Sequence, residues 1–465
     1  MGTEKDIIVA VELGSSAIRA IAGRREPDGN VHVLAMTRKS DEYAIRRGVV
    51  DNINRTAQIL QEITRQLGDR LDGQVTKAYV GLGGQSLHTV LNSIDYPMDQ
   101  KSLITDETIQ RIADMNRAQV YPDMDILQAE PQEYRLDARG GITTPVGMEA
   151  KDIRATFLNV LAHTRLRNNV ESSVDAAGLS LAEEDVLIAP LMQARWLLSE
   201  QERKSGCALV DIGAATTTVS VYSRNTLRHL VVIPLGSANV TADIVRFGAQ
   251  PDDAENLKLK FGTAYCQEPR DGESSDSEML NLSYDRSVSK RQLKEIVEAR
   301  YQEIIANVWE HVRPFCDNQF ACIVFTGGGS RVPDLVDAFV QYTKTTKLVR
   351  VHKGLPVGIV LDSNSGVDDR ENLDTLCSLL LCGKEFCVAE KPKPEPAPEL
   401  FPDDPEPDDT PVQTETVDDN PQENETGNGD EDEHKQNDQP TKRKSVGSRL
   451  RNVFKVFKGM LEEGE

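Results

Sequence analysis

The sequence predicts an α/β fold built as two related halves facing each other across a cleft, and three short stretches predict it. Ile8-Val9-Ala10-Val11-Glu12-Leu13-Gly14-Ser15-Ser16-Ala17-Ile18-Arg19 is an apolar run, an acid, a glycine among small residues and a second apolar run. Leu209-Val210-Asp211-Ile212-Gly213-Ala214-Ala215-Thr216-Thr217-Thr218-Val219 repeats that order, with Asp211 in the place of Glu12 and Gly213 in that of Gly14. Ile323-Val324-Phe325-Thr326-Gly327-Gly328-Gly329-Ser330 is a third apolar run ending in glycines, and Pro333 marks an expected helix start. Short apolar runs bounded by glycine read as buried strands. Where the side chains of a turn are this small, a phosphate can approach bare backbone N–H groups. A carboxylate beside such a turn suits a phosphate-bound Mg²⁺. One such loop says no more than hairpin; three, two of them carrying acids, point to a nucleotide held between the halves.

The elements follow in order. Residues 5–36 read as three short strands, with Asp28-Gly29-Asn30 as a hairpin turn. Ala57, Leu60, Ile63, Thr64 and Leu67 share one face of a helix running from Arg55 to about Leu67. A strand follows near Ala78 to Leu82. The second half repeats the plan: strands at Cys207–Gly213, Thr216–Tyr222 and Leu227–Pro234, a helix from about Asn239 to Phe247, a long helix over Lys290–Val312 and a strand at Cys322–Thr326. Between about Gly84 and Ala162 a different pattern intrudes, with a helix near Thr105–Gln119 and strands near Gln132–Leu136 and Thr156–Leu161. It reads as an inserted subdomain or as an extension of the first half.

Charge is unevenly spread. The chain carries −22, but residues 390–441 hold 18 Asp/Glu against 3 Lys and 10 of the 22 prolines, while residues 442–465 hold 7 Lys/Arg against 3 Glu. The remaining body is modestly acidic, which argues against nucleic acid as a partner, since a phosphate backbone needs a basic face. A body of almost 390 residues exceeds one ordinary hydrophobic core, so two lobes are expected. The seven cysteines form no Cys-x-x-Cys pair, and Cys377, Cys382 and Cys387 recur every five residues, a spacing that suits neither zinc nor one helix face. Buried thiols of a reduced, cytoplasmic protein are the expectation. No signal peptide, myristoylation pattern or bilayer-spanning run is read from the chain.

Residues 390–441 lack the apolar content to offset the entropy of ordering, and read as a disordered tether or a solubilising tail. Charge repulsion and proline should extend it beyond the roughly 40 Å of a neutral flexible chain. After it, Val446, Leu450, Val453, Phe454, Phe457, Met460 and Leu461 occupy an arc of about 120° on a helix. Arg449, Arg451, Lys455 and Lys458 flank or oppose that stripe. The pattern fits an anionic membrane surface, each cation adding about 1 kcal/mol, or alternatively a protein groove. Single helices of this length bind reversibly, so firm attachment needs many copies side by side.

On these residues the chain resembles the actin-like ATPase superfamily and, within it, the FtsA family of bacterial cell-division proteins. Further segments carry the resemblance in order: Pro131-Gln132-Glu133-Tyr134, Ile142 to Gly147, Leu227-Arg228-His229, Val232-Ile233-Pro234, Asn239 to Ile244, Asp253-Ala254-Glu255, Lys258 and Glu298 to Tyr301. It spans roughly residues 5 to 388 and the extreme C-terminus, whose helix is a family trait. It implies a duplicated ribonuclease-H-like fold: first lobe 5–83 and 163–205, inserted subdomain 84–162, second lobe 206–232 and 314–389, a further subdomain 233–313, tether 390–441 and membrane-targeting helix 442–465.

Carried over residue by residue, the resemblance implies that Gly14, Ser15 and Ser16 meet the terminal phosphates of ATP from one side, and Gly213, Ala214, Ala215 and Thr216 from the other. Asp211 and Glu12 face Mg²⁺ or its waters. Gly236, Ser237 and Asn239 border ribose and phosphates, Glu255 and Lys258 flank ribose and base, and Gly327, Gly328, Gly329 and Ser330 cradle adenosine. Arg291, Lys294 and Arg300 are candidates to meet the acidic C-terminal peptide of the tubulin-like division protein FtsZ. Leu450, Val453, Phe454, Phe457 and Leu461, with Arg449 and Lys458, would hold filaments of the chain on inner-membrane lipids at the septum, while other division proteins dock on the inserted subdomain.

Two departures matter. Ala214-Ala215 stands where many relatives have Gly-Gly, narrowing the approach. Relatives that hydrolyse ATP place a Gln or Glu shortly before the second loop to orient water. Here Ile188-Ala189-Pro190-Leu191 offers none and Gln193 is the nearby substitute, so hydrolysis should be slow. Rival readings are a small-molecule kinase, a chaperone ATPase and a pilus-assembly relative. The kinase would need a general-base Asp beside an acceptor pocket, and the chaperone a folded domain after residue 389.

Overall fold

The computed structural model describes residues 4–182, 186–266, 278–282, 287–367 and 372–391. The expected tether of 390–441, beyond residue 391, and all of the expected helix of 442–465, with Arg449, Leu450, Val453, Phe454, Phe457, Lys458 and Leu461, lie outside the described residues. In the first lobe β1 (Ile8–Leu13), β2 (Ile18–Arg25) and β3 (Val31–Lys39) form an antiparallel meander. Helix α1 (Ile53–Arg70) follows, then β4 (Lys77–Leu82), parallel to β1. Helix α1 starts two residues earlier than its apolar stripe suggests because the Asn52 side chain caps it, accepting from Arg55 N–H at 2.9 Å.

The inserted subdomain comprises β5 (His88–Leu103), α2 (Asp106–Arg117), β6 (Met124–Leu136), β7 (Arg139–Ile142) and β8 (Glu149–His163). It has a core of its own, with Ile94, Ile104, Ile112, Tyr134, Ile153 and Phe157 buried. The chain then returns through α3 (Thr164–Ala176) and α4 (Ala189–Leu197).

The second lobe repeats the first. β9 (Cys207–Ile212), β10 (Thr217–Ser223) and β11 (Thr226–Ile233) form the meander. Helices α5 (Ser237–Phe247), α6 (Pro251–Phe261) and α7 (Lys290–Val312) follow, the last opened by a capping box between Ser289 and Gln292. β12 (Cys322–Thr326) runs parallel to β9; α8 (Leu335–Thr343) leads to β13 (Leu348–Val351), parallel to β12.

Strands β9 and β12 are buried on both faces, which explains their unbroken apolar runs. Cys207 and Leu209 turn to a core shared with the first lobe, as do Cys322 and Val324. Ala208, Val210 and Ile212, with Ile323 and Phe325, turn to a second core under α5, α7 and α8. This period of two decides where the chemistry goes: Asp211 and its register partner Thr326 fall on the side of the first lobe.

One expected boundary is corrected. Residues 314–389 do not all stay in the second lobe. After Val351 the chain crosses back: β14 (Ile359–Leu361) pairs parallel with β3. Helix α9 (Asp374–Cys382) buries Leu376, Cys377, Leu379 and Leu380 in the shared core. β15 (Val388–Glu390) lies between Glu4–Lys5 and Gly73–Val75. The cause is α9 itself, apolar around its circumference and thus fit only for a site enclosed on every side. The seven cysteines are free thiols, four of them buried; burial pushes Cys377 and Cys322 up to about 12. No helix among the described residues is long and apolar enough to cross a membrane.

Candidate functional site

The three glycine loops meet at one cavity of about 560 Å³ between the lobes. Glu12, Gly14, Ser15 and Ser16 line it from the first lobe; Asp211, Gly213, Ala214 and Thr216 from the second. Gly327, Gly328 and Gly329 form a third wall, and Ser237, Glu255 and Lys258 a fourth. Gln193, on α4, lines it from the first lobe.

Four expected residues stand behind the wall. A Cβ on Gly236 would lie 2.5 Å from the Ala214 carbonyl, so the start of α5 packs directly on the second loop. Asn239 caps that start, its Oδ1 accepting from Gly236 N–H at 2.9 Å. Ser237 and Ala238 N–H donate to the carbonyls of Gly213 and Ala214 at 2.9 and 2.7 Å. Helix α5 thus spends its first free donors on holding the loop. Ser330 is buried, its hydroxyl donating to Gly327 O at 2.8 Å, so it shapes the third loop from within. Ala215 sits in the second loop but not on the cavity wall.

Asp211 is the electrostatic centre. Burial pushes its carboxyl up to about 6, and the negative charges of Glu12 and Asp374 push the same way. Opposing them, Gln193 Nε2 donates to Asp211 Oδ2 at 2.8 Å, and Arg19 lends positive charge. Gln193 Nε2 also donates to Thr375 Oγ1 at 2.8 Å, so both of its N–H groups are committed. Glu12 accepts from Arg19 at 2.6 Å, and Arg19 also donates to Asn372 O at 2.7 Å. Burial alone would raise Asp374, but hydrogen bonds from His352, Thr326 and Asn372 outweigh it and hold the carboxyl below its ordinary value.

Ser15, Lys258 and Tyr301 are also engaged. Ser15 Oγ accepts from Gly48 N–H at 2.8 Å. Lys258 pairs with Glu255 at 2.7 Å and donates to Thr241 Oγ1 at 3.0 Å. Tyr301 on α7 donates its hydroxyl to Gly329 O at 2.7 Å, fixing the third loop from below. Arg19, Asn372, Asp374, Thr375 and Tyr301 were not assigned from the sequence. Arg19 stood in the first loop stretch and Tyr301 in the stretch Glu298 to Tyr301 that carries the resemblance; the others carried no local signal.

The cations expected to meet an acidic peptide are less available than the sequence suggests. Arg300 is bound to both oxygens of Asp243, at 2.7 and 3.0 Å, and to Glu303, tying α7 to α5. Arg291 pairs with Glu295 at 3.0 Å. Arg300→Ala is expected to cost about 1 kcal/mol of stability, because it leaves the exposed Arg246, at 2.9 Å, as the remaining partner of Asp243 and cuts the tie between α7 and α5; urea denaturation checks it.

Residues 208–368 match the family model described as Cell division protein FtsA, and residues 84–161 match that of the SHS2 domain inserted in FtsA. The chain belongs to the FtsA family. FtsA-family members of similar sequence include the cell division protein FtsA of Escherichia coli strain K12, 27% identical over 397 residues covering 82% of this chain and 91% of that one. That of Pseudomonas aeruginosa is 28% identical over 335 residues, 71% of this chain and 79% of its own. The PilM-PilN type IV pilus biogenesis complex shares the fold, with a TM-score of 0.55 over 82% of this chain and 98% of that chain at 14% identity. The FtsA-family fold is the actin-like ATPase fold expected from the loops, and the inserted subdomain is the FtsA type.

Proposed function

We propose that the cleft binds ATP with Mg²⁺, that the loaded chain self-assembles on the cytoplasmic face of the bacterial membrane, and that it tethers the FtsZ ring there at the septum. The observation that carries this is the convergence of three glycine loops around Asp211 in one cavity. Gly14, Ser15, Ser16, Gly213, Ala214 and Thr216 would hold the phosphates, and Gly327 to Gly329 with Glu255 and Lys258 the nucleoside. Among the described residues no cluster of three or more His, Cys, Asp or Glu is arranged to hold a metal ion. The phosphates and water would therefore supply most Mg²⁺ ligands, with Asp211 and Glu12 in the outer positions. The donor chemistry fits, since a cation would relieve a desolvated carboxylate flanked by like charges. When bound, Mg²⁺ neutralises phosphate charge.

Hydrolysis is expected to be slow. With both N–H groups of Gln193 committed, its carbonyl oxygen is the group left to meet water, and Asp211 serves as its anchor. The function is a switch that responds to nucleotide, with the tail as anchor, FtsZ as the bound partner and other division proteins on the inserted subdomain. Pelleting with anionic vesicles tests it, using the full chain and a version ending at residue 441, each with and without ATP. Pelleting that needs both tail and ATP is expected. Pelleting indifferent to the tail overturns the anchor, and indifference to ATP overturns the switch.

A further inference from the structure

Two stretches that carry the family resemblance, Pro131-Gln132-Glu133-Tyr134 and Leu227-Arg228-His229, take no part in the cleft, yet the fold brings them together. Gln132 lies on β6 of the inserted subdomain and Arg228 on β11 of the second lobe. Arg228 Nη1 donates to Gln132 Oε1 at 2.6 Å, while Gln132 Nε2 donates to Leu227 O at 3.1 Å. Both ends of one carboxamide are thus used across the boundary.

The contact continues along β11. Leu230 N–H donates to Thr89 Oγ1 at 2.9 Å, and the Thr89 hydroxyl donates to Leu230 O at 3.3 Å. His88 pairs with Val231, joining the subdomain's sheet to that of the second lobe. Leu227 N–H donates to Glu130, whose carboxyl burial raises above its ordinary value. Beneath these polar groups, Leu158 and Val160 of β8 share the core with Leu227 and Leu230.

The subdomain leaves and re-enters the chain through the first lobe, at Gly84 and His163. Its seam with β11 therefore ties the lobes at a place distinct from the cleft, in addition to the shared core and the crossover through α9. A nucleotide would span the same two lobes. Two ties that hold one pair of bodies in one relative position strengthen each other, because the freedom removed by the first is not removed again by the second. The converged glycine loops and the hydrogen-bonded seam occur together in this one arrangement.

We propose that this seam is a latch coupling the cleft to the inserted subdomain: closed, it preorganises the cleft for nucleotide, and bound nucleotide in turn holds the subdomain against the second lobe. The inference rests on the nucleotide reading of the cleft. A partner docked on the subdomain would then sense the state of a site it never touches.

Amide hydrogen exchange on the full chain, with and without ATP and Mg²⁺, tests the latch alongside ATP titration of Gln132→Ala, Arg228→Ala and the double variant. ATP is expected to slow exchange at residues 88–91 and 226–231 of the unaltered protein. Each variant should bind ATP about fivefold more weakly. The double variant should be no weaker than the worse single one, since the two side chains form one contact. Unchanged exchange across β9 and β12 would show that the variants are folded. Seam exchange indifferent to ATP in the unaltered protein, which still binds it, overturns the latch alone; so do folded variants of unaltered affinity. An unaltered chain that takes up no nucleotide overturns the cleft reading and the latch with it.

Discussion

Asp211→Asn is expected to stabilise the nucleotide-free protein above pH 6 while weakening Mg²⁺-nucleotide binding by at least about tenfold. The folded carboxyl titrates at about 6 against an ordinary 3.8, because burial and like charges disfavour its ionised form. Below about pH 4 it is protonated, folded or unfolded, and costs nothing. As pH rises towards 6 the unfolded chain ionises more readily than the folded one, so stability falls, and the penalty then persists at higher pH. Asparagine has the same shape and cannot ionise, and its side-chain oxygen still accepts from Gln193. The gain should therefore be absent near pH 4 and complete above pH 6, reaching about 1–3 kcal/mol. Denaturant unfolding from pH 4 to 8 checks it. A variant less stable than its parent at pH 8 would show that the carboxylate's contacts outweigh its desolvation. Residues held at a cost in stability are where function is expected to reside.

Gly327→Ala and Gly328→Ala, adjacent in the chain, should behave as opposites. Gly327 has φ +87°, and a Cβ there would lie inside the van der Waals surface of Asp211 Oδ1 and 2.5 Å from the Ile212 carbonyl. Alanine at this position meets strained backbone and steric overlap together, for a loss of about 3 kcal/mol or more. Urea denaturation should show it, with ATP binding lost in parallel. Around Gly328 a Cβ would find nothing within 4 Å, yet the residue lines the cavity. Gly328→Ala should unfold like the parent while binding ATP more weakly, as its methyl group occupies space meant for the ligand. If both variants bind ATP normally, the third loop does not cradle the nucleoside.

Why some of this was legible follows from where the information lies along the chain. The loops showed themselves because an acid, a glycine and tiny neighbours must be consecutive to leave backbone donors exposed. Helix α7 was plain because Ser289 and Gln292 mark its start locally. Strand β5 was missed although it is 16 residues long: much of it is exposed, Pro97 interrupts it, and no apolar run results. Residues 374–382, counted with the second lobe in the range 314–389, join the core of the first because two apolar cores compete for them and only tertiary packing decides. Asp374 and Thr375 gave no signal at all. Their chemistry comes from Thr326, 48 positions away, and from Gln193, 182 positions away. Arg300 and Lys258 make the same point for charge, since a sequence shows a cation but not the carboxylate that has claimed it.

The last described strand, β15, is hydrogen-bonded antiparallel to Glu4–Lys5 on one side and Gly73–Val75 on the other. Tension transmitted along the chain beyond residue 391 would therefore be borne in shear by a three-stranded patch of the first lobe. The second lobe is outside that load path. A rope hitched to one jaw of a clamp drags the clamp without prising it open, so a pull arriving through that strand would leave the grip on anything between the jaws unchanged.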